Sequence, residues 1–324
     1  MRRLKSNFRL IAVFVCALLL FAGGSLGYAK DFKMAVVMPG VITDKGFNQA
    51  VYDGILLIKK EMGIEVAFSE KVAQPDQPEA LADYARRGYQ FVIGAGGEFQ
   101  DSVDRVAGRY PETKFAVING THPHDNVSGI RFHNEGLAYA VGFIGGKISK
   151  TGVGGFVGAQ QIMFSVEMLA GFTNGFMAAR PDGKVYHAWT NDWDDIAKGK
   201  EAAFSMISKG ADVIFPTMDN ACVGSLQAAR EKNKMAFGLY YDAIKDWPNT
   251  VMQSAILYWP AALLQIAKTA RDGALEPKLY TLGFDLPSAA RLGTYHASVP
   301  QSVRDETSQV IKKIISGEID PMPK

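Results

Sequence analysis

Four carboxylates, Asp44, Glu98, Asp219 and Asp242, follow strand-like runs, and a cleft that held them together could supply acid and base groups. Other catalytic patterns are weaker. Gly23-Gly24-Ser25-Leu26-Gly27 has the spacing of the serine-hydrolase nucleophile elbow but lies in a segment that reads as a leader. Gly152-Val153-Gly154-Gly155-Phe156-Val157-Gly158 runs into a strand instead of leaving one for a helix. Its third glycine comes one residue late for a dinucleotide fingerprint. Of the five histidines, His122, His124, His133, His187 and His296, only the first two are close, and no acidic or cysteine cluster at metal spacing accompanies them. Cys222 has no CxxC partner. These patterns predict no catalytic residue, no metal and no cofactor.

The segment richest in binding chemistry follows the first strand-like run: Pro39-Gly40-Val41-Ile42-Thr43-Asp44-Lys45-Gly46-Phe47-Asn48-Gln49. It sets polar groups and one aromatic at the carboxyl end of a parallel strand, where open α/β sheets bind ligands. A structural role fits the same residues. Asp44 could cap the following helix, Phe47 could pack in the core and Asn48 could serve the turn.

The elements that must position these residues begin after a leader. Residues 1–29 carry Arg2, Arg3, Lys5 and Arg9, then an apolar run over 10–22, then small residues up to Ala29. That is the pattern of a cleaved signal peptide, and the apolar run is too short for a permanent span of roughly 30 Å. Without those four bases the remaining 31 basic residues face 33 acidic ones, so the precursor's +2 becomes about −2. No basic stripe for nucleic acid is present. Cys222 is then the single cysteine, no intramolecular disulfide is possible, and stability must come from packing.

Short β-branched runs alternate with amphipathic ones. Strands are predicted over 34–38, 64–68, 91–94 and 114–118, with helices over 47–62, 78–87 and 100–109. A second series starts near residue 127, with helices over 135–149, 162–179, 196–209 and 221–232 between strands at 153–157, 184–188, 212–215 and 235–239. Repeated βα units imply parallel sheets with right-handed crossovers. The count fits an α/β fold of two doubly wound lobes joined by a hinge. Residues 30–122 plus 254–282 are assigned to the first lobe and 123–253 plus 283–324 to the second, so that late elements complete both sheets.

The segment Asp44-Lys45-Gly46-Phe47-Asn48-Gln49 resembles the signature of the basic membrane protein family of ABC-transporter solute-binding receptors, whose best-known members bind purine nucleosides. Gly46 replaces the family's usual Ser. The resemblance continues through Gly88–Gly96, Tyr110–Gly120, Asn134-Glu135-Gly136, Ser149–Gly158, Trp193–Glu201 and Gly210–Phe215. It implies a type I periplasmic-binding-protein fold, a soluble periplasmic receptor that is not an enzyme, ABC permease subunits as partners, and a purine base or nucleoside as ligand. An aromatic ring from each lobe would sandwich the base, and the matching positions are Phe47 and Trp193, although Trp193 also fits plain packing within a lobe.

Stacking does not distinguish one base from another, so edge recognition would fall to Asp44, Asn48 and the loop Gly97-Glu98-Phe99. The ribose side departs from the family pattern. Asn119 replaces an Asp, the turn after Phe215 reads Pro216-Thr217-Met218-Asp219-Asn220, Tyr240 aligns near an aspartate, and Asp285 stands where a late Lys is usual. Those changes put recognition of a ribose in doubt and make a free purine base or related heterocycle a serious candidate. Asp219, Asn220, Tyr240, Tyr241, Asp242 and Trp259 occupy strand ends or loops that a closing lobe would present, and each also fits a solvated turn. Two further readings remain open: a binding protein or sensor for a sugar or other heterocycle, and a secreted nucleoside-processing enzyme.

Overall fold

The computed structural model describes residues 32–43 and 46–323. The expected leader and Asp44 lie outside the described residues. The chain starts with β1 (Lys33–Val37), α1 (Phe47–Met62), β2 (Glu65–Ser69), α2 (Gln77–Arg86), β3 (Phe91–Ala95), α3 (Gln100–Ala107), β4 (Lys114–Ile118) and β5 (Val127–Phe132). It continues with α4 (Asn134–Ile148), β6 (Val153–Gly158), α5 (Met163–Ala179), β7 (Lys184–Trp189), α6 (Ile196–Ser208), β8 (Val213–Thr217), α7 (Ala221–Glu231), β9 (Met235–Leu239) and β10 (Val251–Leu257). The last elements are α8 (Trp259–Arg271), β11 (Leu279–Leu282), β12 (Ala290–Leu292) and α9 (Gln301–Ile315).

Two six-stranded sheets result, in the orders β11-β5-β4-β3-β1-β2 and β12-β10-β9-β8-β6-β7. The first is parallel throughout, and in the second only the edge strand β12 runs antiparallel, against β10. Strands β3, β8 and β10 are buried along their whole length, as in sheets covered by helices on both faces.

The expected division of the chain differs from the sheets at two places. Strand β5 pairs with β4 and β11, so residues 127–132 belong to the first lobe, and β10 lies wholly in the second. The βα rhythm runs unbroken through both points, and periodicity does not record which sheet a strand joins. The late elements do complete both sheets: β11 extends the first, and β10 and β12 extend the second. The chain thus passes between the lobes after β5, after β10 and after β11.

Helices α4 and α5 are apolar on nearly every side and pack backbone to backbone. A Cβ on Gly142 would strike the Phe172 carbonyl, and one on Gly175 would strike that of Tyr139. The pair therefore forms one rigid unit whose N-terminal ends face the space between the lobes. Among the described residues no helix is long and apolar enough to cross a membrane.

Candidate functional site

A cavity of about 650 Å³ lies between the lobes at the carboxyl ends of both sheets, the region where open α/β sheets bind ligands. Phe47, Asn48, Gly97, Glu98 and Asn119 line it from the first lobe, and Trp193, Asp219 and Tyr240 line it from the second. A neighbouring cavity of about 530 Å³ shares Phe47, Asp219, Tyr240, Leu257 and Trp259, and adds Asp53, Cys222 and Tyr241. The lobes approach closely at its edge: a Cβ on Gly46 would lie 3.4 Å from Asp219 Cγ.

The first lobe's aromatic wall has three rings. Phe47, at the start of α1, meets Trp259 edge-on at 5.9 Å and 83°, and Trp259 lies 4.5 Å from Phe132. Across the cleft Phe164 lies 6.5 Å from Trp193 and 6.3 Å from Tyr240, within 7° of parallel to the latter. Trp193 is presented by a braced loop. Its carbonyl accepts the Asp219 and Ala221 N–H groups at 3.1 Å each, and the Asp195 carboxylate caps α6 by accepting from Ala197 N and Lys198 N. Asp192 Oδ1 accepts the amides of Asp194 and Asp195, while Lys198 Nζ reaches Oδ2 at 3.0 Å. The Asp194 amide, then Lys198, hold the Asp192 carboxyl below its usual range.

Two strand ends carry unusual backbone. Asn119 has φ 59° and Tyr240 has φ 69°, the left-handed region that asparagine tolerates and a bulky ring avoids. Tyr240 is held there by its N–H to Ala255 O at 2.9 Å. Burial, then the Asp219 charge, push its hydroxyl well above the ordinary tyrosine value, so it stays a neutral donor or acceptor. Asn48 Oδ1 accepts the Gly40 amide at 3.2 Å, so this side chain lines the cavity and also secures the turn.

Asp242 lines neither cavity. Its Oδ2 accepts from Thr294 Oγ1 at 2.6 Å and its Oδ1 from the Thr294 amide at 3.1 Å, which fastens the β9 turn to the segment after β12. A polar residue at a strand end looks the same in sequence whether it faces a ligand or a neighbouring loop. Cys222 lies beside the smaller cavity, with its thiol donating to Met218 O at 3.0 Å, and burial pushes its pKa up to about 12. It is no nucleophile at neutral pH.

Sequence reasoning missed the polar end of the cavity, formed by Arg131, Asn134 and Glu167. Arg131 Nη1 donates to Glu167 Oε1 at 2.7 Å, and its Nη2 donates to both Glu135 oxygens at 2.8 Å. Asn134 Nδ2 donates to Glu167 Oε2 at 2.9 Å. Burial raises the Glu167 carboxyl above its usual range, while Asn134 and Arg131 oppose the rise. The available signal was Glu167 itself, the one charge in the otherwise apolar run of α5.

Residues 32–319 match the family model described as ABC transporter substrate-binding protein PnrA-like. The chain is 27% identical over 307 residues to the transcriptional activator protein Med of Bacillus subtilis, covering 94% of this chain and 95% of that relative. It is 28% identical over 302 residues to a purine-binding protein of Brucella abortus, covering 92% and 85%. Among solved structures, a transcriptional activator of the comK gene from Bacillus halodurans superposes with TM-score 0.78 at 22% identity, over 90% of this chain and 99% of that one. An ABC transporter solute-binding protein from Aeropyrum pernix gives 0.75 at 21%, over 90% and 94%. Both share this two-lobed fold. With a family match spanning both lobes, the chain belongs to the Bmp family of PnrA-like ABC transporter substrate-binding proteins.

Proposed function

We propose that this protein is the periplasmic receptor of an ABC importer and holds a purine base or nucleoside flat between Phe47 and Trp193. The observation that carries the reading is that rings from both lobes line one cavity at the carboxyl ends of the two sheets. Its volume of about 650 Å³ falls within the roughly 300–1,000 Å³ of small-molecule sites. Stacking on such rings contributes about 1–3 kcal/mol per base. The similarity to a purine-binding protein of Brucella abortus supports the ligand class.

Asn48, Gly97, Glu98, Asn119, Asp219 and Tyr240 would contact the edge of the base. Asp44 is proposed for the same task from the sequence alone, whereas the Asp242 carboxylate is committed to Thr294. A ligand touching both lobes favours the closed form by its affinity difference between the two states, and the closed form would dock on the permease.

A thermal-shift panel of purine bases, nucleosides and pentoses tests the reading, since a ligand at 100 times its Kd stabilises by about 2.7 kcal/mol. Shifts by purines support it, and shifts confined to pentoses overturn it. Incubation with inosine tests for an enzyme instead: hypoxanthine released well beyond one equivalent would defeat the receptor assignment.

A further inference from the structure

We propose that Asn134 and Glu167, braced by Arg131, read the polar edge of the ligand and select an amino-bearing purine over its oxo counterpart. The inference rests on the purine reading above and names the ligand class within it.

Both side chains line the larger cavity and are more than nine-tenths buried, with Asn134 at 3% exposure and Glu167 at 8%. A carboxylate only accepts hydrogen bonds, so the Asn134 amide must turn its NH2 toward Glu167 Oε2, 2.9 Å away. Its Oδ1 is thereby directed away from Glu167 and has no hydrogen bond among the described residues. Each Glu167 oxygen accepts one bond, from Arg131 or from Asn134, and keeps a lone pair for a second. The Arg131 guanidinium is occupied by Glu135, Glu167 and the Phe132 carbonyl. It holds the carboxylate in place without reversing the local charge.

Charge points the same way. Arg131 is the one cation among the described residues lining this cavity, against Glu98, Glu167 and Asp219, and Glu135 sits directly behind it. His133 Nε2 lies 3.4 Å from Glu135 Oε1, outside the cavity lining. A wall rich in acceptors asks its ligand for donors. An exocyclic amino group carries two N–H bonds and can bridge Asn134 Oδ1 and a Glu167 oxygen. A keto oxygen at the same place faces two acceptors and leaves both unpaired in a buried site.

Two matched pairs, adenine with hypoxanthine and guanine with xanthine, exchange an amino for an oxo group and turn the adjacent ring nitrogen from acceptor to N–H donor, so a preference for the amino member is read against that added donor. Titration calorimetry of the full-length mature protein should show the amino member of at least one pair binding at least about tenfold tighter. In Glu167→Gln and in Asn134→Ala that ratio should fall to about threefold or less. Loss of folding in one variant leaves the other to decide, and the ratio within a pair does not move when overall stability drops. Purine binding with no amino preference in either pair, or a preference unchanged in the folded variants, overturns this inference alone. Binding of none of the four, nor of adenosine or inosine, overturns the purine reading as well.

Discussion

At the residue scale the two rings assigned to stacking make the sharpest claim. Phe47 is only partly buried and leans on Trp259, and Trp193 is fixed by its backbone carbonyl as well as its ring, so removing either side chain should spare the fold. Phe47→Ala and Trp193→Ala are each expected to weaken purine binding at least about tenfold, by calorimetry, with unchanged circular dichroism. Asp242→Ala should do the reverse: affinity stays within about twofold while stability in urea drops by about 1 kcal/mol, because its bonds go to Thr294. The placement of these residues also shows what a sequence can disclose. Phe47 and Asn48 were legible because they follow a strand and open a helix. Arg131 and Glu167 were not, since their meeting depends on β5 joining the first sheet while α5 packs in the second lobe.

At the element scale, glycine spacing decides whether the site has a rigid frame. Gly142 with Gly146 on α4, and Gly171 with Gly175 on α5, let the two backbones touch, and this contact sets where Asn134, Phe164 and Glu167 face the cleft. Gly175→Val would drive side-chain carbons into the Tyr139 carbonyl. A loss of about 3 kcal/mol or more in urea unfolding is expected. Gly108→Ala, where nothing lies within 4 Å of the new Cβ and φ is −62°, should stay within about 0.5 kcal/mol of the parent. Most helix and strand positions were readable within a residue or two because both helix and strand periods are strong here. The three-residue strand β12 and the single turn Gly97–Phe99 were not, being too short to show a period.

At the scale of the whole molecule, the Arg131–Glu167 pair joins a strand of one lobe to a helix of the other beside the first passage of the chain between them. In this structure it therefore ties the two lobes together. Burial lifts the Glu167 carboxyl above its ordinary value of 4.5, against the pull of Asn134 and Arg131. A carboxyl whose pKa is higher in the folded chain binds protons on folding. Its contribution is thus fully present below the unfolded value near 4.5 and is lost as pH rises through the raised folded value. Glu167→Gln abolishes that titration. The stability of the parent relative to this variant should decline as pH is raised from about 4 to 7, in urea melts compared at each pH. A difference that rises with pH would mean that the ion pair with Arg131 outweighs burial. Because the pair bridges the lobes, the same variant should show a larger radius of gyration than the parent by small-angle scattering without ligand, and saturating purine should close that gap. Equal radii in the free proteins would place the pair in folding alone.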